Sequence, residues 1–229
     1  MNAGVHWKGA DPSTSRSSPG LTAVRSGDRP RGHEGTTETE AAIFDATERL
    51  LADESLHELS VAQIISAAGI SRATFYFYFS SKFAVLGGLV ARVSDEIFDV
   101  VQPFVQRQES VAPEQAMRES LTAAVALWQR HRPALRAVHE HWNTTDQLRD
   151  LWISVMARFT RAVAAELERQ KHAGLARHSI DSQTIAATLI WSTVQCLYVA
   201  GMGVEPNLPD EQAALSALIT LWRSSLYGN

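Results

Sequence analysis

The stretch Val61 to Lys82, VAQIISAAGISRATFYFYFSSK, constrains this chain more than any other. Val61, Ile64, Ile65 and Ala68 recur at spacings that put side chains on one face of a short helix. Gly69 follows where that helix must stop, because glycine alone takes the left-handed conformation cheaply. Ile70 plugs the corner, and Ser71 is a good N-cap for a second helix beginning at Arg72. A helix, a Gly-containing turn and a second helix make helix-turn-helix grammar, in which the second helix enters a groove of DNA. Phe75 and Phe79, four apart, should face the core. Arg72, Thr74, Tyr76 and Tyr78 are then left toward solvent or a partner. The bland alternative is two surface helices joined by a glycine turn.

GISRATFYFYFSSK resembles the DNA-binding signature of the TetR family of one-component bacterial repressors. There a Gly-hydrophobic-Ser turn leads into a Thr-aromatic-Tyr-x-x-Phe recognition helix, and a Ser-Lys pair opens the next helix. The TFYFYF form is similar to one individual member especially, and LWISVMARF (151–159) and SLYGN extend that likeness, more weakly, toward the C-terminus. One departure is Ile65, where the family usually has a small residue because the two helices approach closely; local repacking is expected there. The resemblance implies that Ser71, Arg72, Thr74, Tyr76, Tyr78, Ser81 and Lys82 meet double-stranded DNA. Arg72 and Thr74 would reach base edges, while Tyr76, Tyr78 and Lys82 would grip phosphates and fix register. Helix N-terminal amides beside Lys82 form an anion site, and on the family pattern the anion is a DNA phosphate. An ordinary N-cap followed by a solvated lysine is the other reading.

Residues 1–37 are rich in Ser, Gly, Pro, Arg and Thr without an apolar period, and read as a disordered arm. Arg16, Arg25, Arg29 and Arg31 give it a positive bias. It either adds phosphate or minor-groove contacts or is a mere extension. Residues 38–83 read as the helix-turn-helix DNA-binding domain and 84–229 as the effector-binding and dimerisation domain. An amphipathic helix from about Thr39 to Asp53 carries Ile43, Thr47, Leu50 and Leu51 on one side, with Glu38 and Glu40 suiting the helix dipole. Ser60 caps the next helix. Ile43, Leu50, Leu59, Val61, Ile64, Ile70, Phe75 and Phe79 form the bundle core. Some 45 residues are marginal alone, so this bundle should lean on the helix running from Lys82 to the neighbourhood of Pro103.

Beyond residue 112 the pattern is helical throughout, over about 113–131, 134–142, 145–172, 181–200 and 210–226, with Asp181, Ser182 and Asp210 as caps. Breaks fall at Pro133, Gly174, the Gly201-Met202-Gly203 turn, Pro206 and Pro209. No β-alternating run appears, so the fold class is all-α: an N-terminal three-helix bundle and a larger C-terminal helical domain. Five of the six tryptophans, Trp128, Trp142, Trp152, Trp191 and Trp222, lie in this second half. An aromatic set at helical spacing is more often core than binding site. Yet tryptophans crowded together line irregular space, and the resemblance implies an effector cavity between these helices. Trp128, Trp142, Trp152, Phe159, Trp191, Thr193 and Tyr198 are its expected walls, suited to a lipophilic, weakly polar small molecule. The last two helices are apolar on more than one face, and they resemble the pair that forms the two-fold dimer interface of TetR proteins. A homodimer also places two recognition helices about 34 Å apart on a near-palindromic operator.

Other chemistries find little purchase. His131, His139 and His141 lie near Pro133, but histidines two apart point to different sides of a helix, so surface or capping roles are expected and no metal site. Cys196 is a lone cysteine in an apolar helix and reads as a buried inert thiol. No phosphate loop, nucleophile elbow or carboxylate pair stands out, so neither enzyme nor cofactor is expected. The polar N-terminus, and a sequence without an uninterrupted run of about 18 apolar residues, point to the cytoplasm and away from a membrane. A net charge of −4 excludes indiscriminate nucleic-acid coating but not a DNA reader with a local basic surface.

Overall fold

The computed structural model describes residues 37–176 and 180–228. The arm expected over 1–37 therefore lies, apart from Thr37, outside the described residues. Helix α1 (Glu38–Asp53) begins with a capping box: Thr37 accepts from the Glu40 amide, and the Glu40 carboxylate takes the Thr37 N–H at 2.9 Å. Glu40 is fully buried, so it acts through this reciprocal cap and not only through the dipole. Helix α2 (Val61–Ala68) repeats the device with Ser60 and Gln63, whose side-chain amide also ties down Glu54. Gly69 ends it at φ 66°, and the Ile70 amide donates back to the Ile65 carbonyl at 3.2 Å. No heavy atom lies within 4 Å of a Cβ added there. Backbone conformation, not space, requires the glycine.

Ser71 caps α3 (Arg72–Tyr78), and Phe79, in an extended conformation, ends it. Ile43, Leu59, Ile64, Phe75 and Phe79 are buried as the sequence predicts; Phe44, Leu51 and Leu56 join them, while Leu50, Val61, Ile65 and Ile70 are half-buried at the edge. This bundle leans on α4 (Lys82–Val100) through a close approach at Gly88. A Cβ on Gly88 would stand 2.8 Å from Phe44 Cζ, and Phe44 packs in turn on Phe79 with ring centroids 5.5 Å apart. Helix α4 thus begins in the reading bundle and ends deep in the second half.

There follow α5 (Gln102–Val105), α6 (Pro113–Arg130), α7 (Arg132–His141), α8 (Asp146–His172), α9 (Ser182–Met202) and α10 (Glu211–Tyr227). The break expected at Pro133 falls at His131, between α6 and α7, and Pro133 sits in the first turn of α7, where its missing N–H costs nothing. Helix α9 runs through Gly201 and Met202 and stops at Gly203, φ 62°. Asp181 is its cap; Ser182 is its first residue and donates its hydroxyl to Glu168 at 2.7 Å. Helix α9 lies along α8, and α10 packs on α9 and α6. By length and composition α9 could span a bilayer, a property that its scattered Ser, Thr and Gln conceal from a search for an unbroken apolar run. One side of it is packed into the protein; Trp191 and Met202 on the other are exposed.

Candidate DNA-reading face and interior cavity

Helix α3 presents its residues unequally. Ser71, Arg72, Ala73, Tyr76 and Phe77 are exposed, Thr74 and Tyr78 are half-buried, and Phe75 is fully buried. The Arg72 guanidinium lies 5.3 Å from the centre of the Tyr76 ring, which carries it as a cation–π pair. The Thr74 hydroxyl is within 2.8 Å of the Ser71 hydroxyl, itself the cap acceptor of the Thr74 amide. Ser81 caps α4 by accepting from Ala84. Lys82 turns back across the bundle: its ammonium donates to the carbonyls of His57 at 2.9 Å and Leu59 at 2.8 Å. Two of its three protons are spent fastening the loop that enters α2, which neither reading of the sequence foresaw. Phe77 was not singled out from sequence, although the helical period that faces Phe75 inward also turns Phe77 outward.

The second half holds a partly open apolar cavity between α4, α6, α8, α9 and α10. Trp128, Trp152, Phe159 and Thr193 of the expected residues line it, joined by Trp222, which the sequence reading counted among the tryptophans of this half but not among the walls. The other three lie elsewhere. Trp191 is 40% exposed, Trp142 closes α7 outside the cavity, and Tyr198 stacks on His139 with centroids 4.0 Å apart. The cause in α9 is helical phase: Ile190, Thr193, Val194 and Leu197 share the inward stripe, and Trp191 and Tyr198 fall off it.

Among the described residues no charged side chain lines this cavity. The Trp222 indole N–H donates to the Thr193 hydroxyl at 3.0 Å, which donates onward to the Leu189 carbonyl at 2.8 Å. Among the described residues the Trp152 indole N–H finds no hydrogen-bond partner, although only 2% of the residue is exposed. Buried donors are normally paired, and an unpaired one carries its full desolvation penalty. Ser94, Ser120 and Thr193 are the other polar residues of an otherwise apolar wall, and Trp152 Nε1 itself has almost no surface open to it.

Between reading bundle and cavity runs a polar seam. Arg92 on α4 meets Asp45 at 3.2 Å, Arg136 donates to the Leu51 carbonyl at 3.1 Å, and His131 Nδ1 lies 2.9 Å from Glu48 of α1. His131 Nε2 faces Glu96 of α4 at 3.3 Å. His131 is thus buried between two carboxylates and is not the surface group expected, though it does stand at the α6–α7 cap. His139 is half-buried, and the loss of hydration lowers its pKa. Among the described residues no three His, Cys, Asp or Glu side chains are placed to hold a metal. Cys196 is half-buried, and burial pushes its thiol pKa up.

Residues 43–88 match the family model of bacterial regulatory proteins of the tetR family, and residues 117–228 match that of the C-terminal domain of the transcriptional regulator EthR. The chain is a TetR-family helix-turn-helix transcriptional regulator, not an enzyme. Within that family it is similar to EthR: the HTH-type transcriptional regulator EthR of Mycobacterium tuberculosis is 29% identical over 189 residues, covering 82% of this chain and 87% of that one. The EthR of Mycolicibacterium smegmatis is 27% identical over 199 residues, covering 82% and 86%. Among solved structures, a SmeT–triclosan complex superposes with a TM-score of 0.70 at 20% identity, covering 83% of this chain and 92% of that one. The regulatory protein TetR of Rhodobacter sphaeroides gives 0.67 at 16%, covering 83% and 100%. At such identities these two speak for the fold.

Proposed function

We propose that the protein is a ligand-responsive repressor which holds a near-palindromic DNA operator as a homodimer and leaves it when a lipophilic small molecule fills the cavity. The observation that carries this reading is that α4 belongs to both sites. Its first half packs on Phe44 and Phe79 of the reading bundle, and its second half supplies Ser94 and Ile97 to the cavity wall. A ligand that displaces α4 must move the reading bundle with it. Two half-sites lie about 34 Å apart on one face of DNA, so a change in head spacing weakens both together. Coupling of about 1–3 kcal/mol is typical of such systems. The effector is uncharged, because no charged residue lines the described walls, and chiefly apolar; an acceptor that reaches the unpaired Trp152 Nε1 would add one hydrogen bond. The description of SmeT in complex with triclosan supports a small-molecule occupant for this fold.

The dimer pairs the outer faces of α9 and α10, where Trp191, Met202 and Leu221 are exposed. Residues 38–83 read DNA, residues 84–229 bind effector and partner, and the protein works in the cytoplasm, with its DNA. The test is a fluorescence-anisotropy titration against duplexes from its own upstream intergenic region at two salt concentrations. Binding that survives the higher salt and requires a palindrome supports the repressor. Weak, sequence-blind binding overturns it in favour of a helical ligand-binding protein without a DNA role.

A further inference from the structure

We infer that Phe77, beside Ala73, is a specificity-determining residue that reads thymine methyl groups in each half-site. The inference rests on α3 entering the major groove. An α-helix turns about 100° per residue, so Phe77 and Ala73 each lie about 160–200° around α3 from Phe75, which is fully buried. They form the outermost line of the helix. Arg72 and Tyr76 make one flank of that line, Thr74 and Tyr78 the other. Phe77 is 59% exposed, more than Tyr76 at 47%, and Ala73 is exposed beside it. Whatever the helix docks into meets these two first.

The polar alternatives on α3 are few. The Thr74 hydroxyl is engaged with Ser71, and the Arg72 guanidinium rides on the Tyr76 ring at one edge of the face. The Phe77 ring is braced edge-on by Tyr78, with centroids 5.1 Å apart at 85°, and Tyr78 is itself packed against the core. A braced aromatic surface at the centre of the face has no hydrogen bond to offer base edges. In the major groove the complementary apolar group is the C5-methyl of thymine, which Ala and Phe side chains contact. Ala73, having only a methyl, lets the helix come close enough for that contact.

The test starts with selection of binding duplexes from a random pool by the full-length dimer. Each thymine of the selected half-site is then replaced singly by deoxyuridine, which removes only the methyl, and affinity is read by anisotropy for wild type, Phe77→Ala and Phe77→Leu. One or two thymines per half-site should each lose about fourfold in the wild type, the value of one buried methylene-sized group. In Phe77→Ala those same replacements should cost nothing, and Phe77→Leu should retain part of the loss. Wild-type indifference to every methyl, or equal losses in Phe77→Ala, overturns the inference while leaving α3 as reader. Failure to enrich any sequence overturns the DNA reading itself, and this inference with it.

Discussion

An indole N–H without an acceptor in an apolar wall is expensive, and Trp152 holds one. A neutral hydrogen bond there contributes about 0.5–1.5 kcal/mol net, or roughly twofold to twelvefold in affinity. Thermal-shift titration with alkyl methyl ketones and with alkanes of equal length should therefore show the wild type preferring the ketone. Trp152→Phe should bind both alike, since only the donor distinguishes them; a surviving ketone preference would place the acceptor elsewhere. Gly88 carries a different constraint at the same scale. A Cβ there meets the Phe44 ring at 2.8 and 3.0 Å, and that ring is packed against Phe79, so it has little room to yield. Gly88→Ala should cost about 1–3 kcal/mol, read as a lower urea midpoint. The loss should fall first on the reading bundle, with amide exchange rising in α1 to α3 before α8.

Among the elements, the C-terminal helix is fastened by a buried node. Glu166, 1% exposed, takes Arg107 Nε at 3.0 Å and the Gln170 amide at 2.7 Å, and the Tyr227 hydroxyl of α10 donates to Gln170 Oε1 at 2.9 Å. Burial, above all, raises the Tyr227 pKa well beyond the ordinary phenol value near 10. In the folded chain the phenol stays neutral while the unfolded one ionises. The stability it contributes is intact below about pH 10 and falls as pH rises further, by at most about 1.4 kcal/mol per pH unit. Tyr227→Phe should lose about 1 kcal/mol at neutral pH and show a shallower alkaline decline in urea titrations than wild type. Such ties explain what the sequence could tell. Helices α2, α3, α9 and α10 were legible because Ser60, Ser71, Asp181 and Asp210 are local caps on clear periods. Helix α5, four residues long, has no period to read. Spacing sorts α9 into faces but does not say which face looks inward: Thr193 lines the cavity and Trp191 does not. Nor does spacing reveal that Lys82 reaches carbonyls 23 and 25 positions earlier, or that His131 meets Glu48 across 83 residues.

For the whole molecule, the open question of physics is the uncovered side of α9 and α10. Helix α9 is apolar enough to span a bilayer, and exposed Trp191, Met202 and Leu221 leave that apolarity facing water in a monomer. The proposed pairing with a second copy about a two-fold axis would bury the face and fix the distance between reading heads at once. Trp191→Glu combined with Leu221→Glu puts four charges into that seam per dimer without touching the cavity, since neither residue lines it. Unpaired buried charge is costly enough that sedimentation should show a monomer where wild type shows a dimer. Helical circular dichroism and ketone-induced thermal shifts should persist, because the core and the cavity belong to one chain. Affinity for a palindromic duplex should fall toward that of an isolated half-site, at least a hundredfold on the order of typical specific-to-non-specific ratios. A double variant that remains dimeric would move the interface off α9 and α10, and a monomer that holds the full palindrome as tightly as wild type would remove dimerisation from the mechanism.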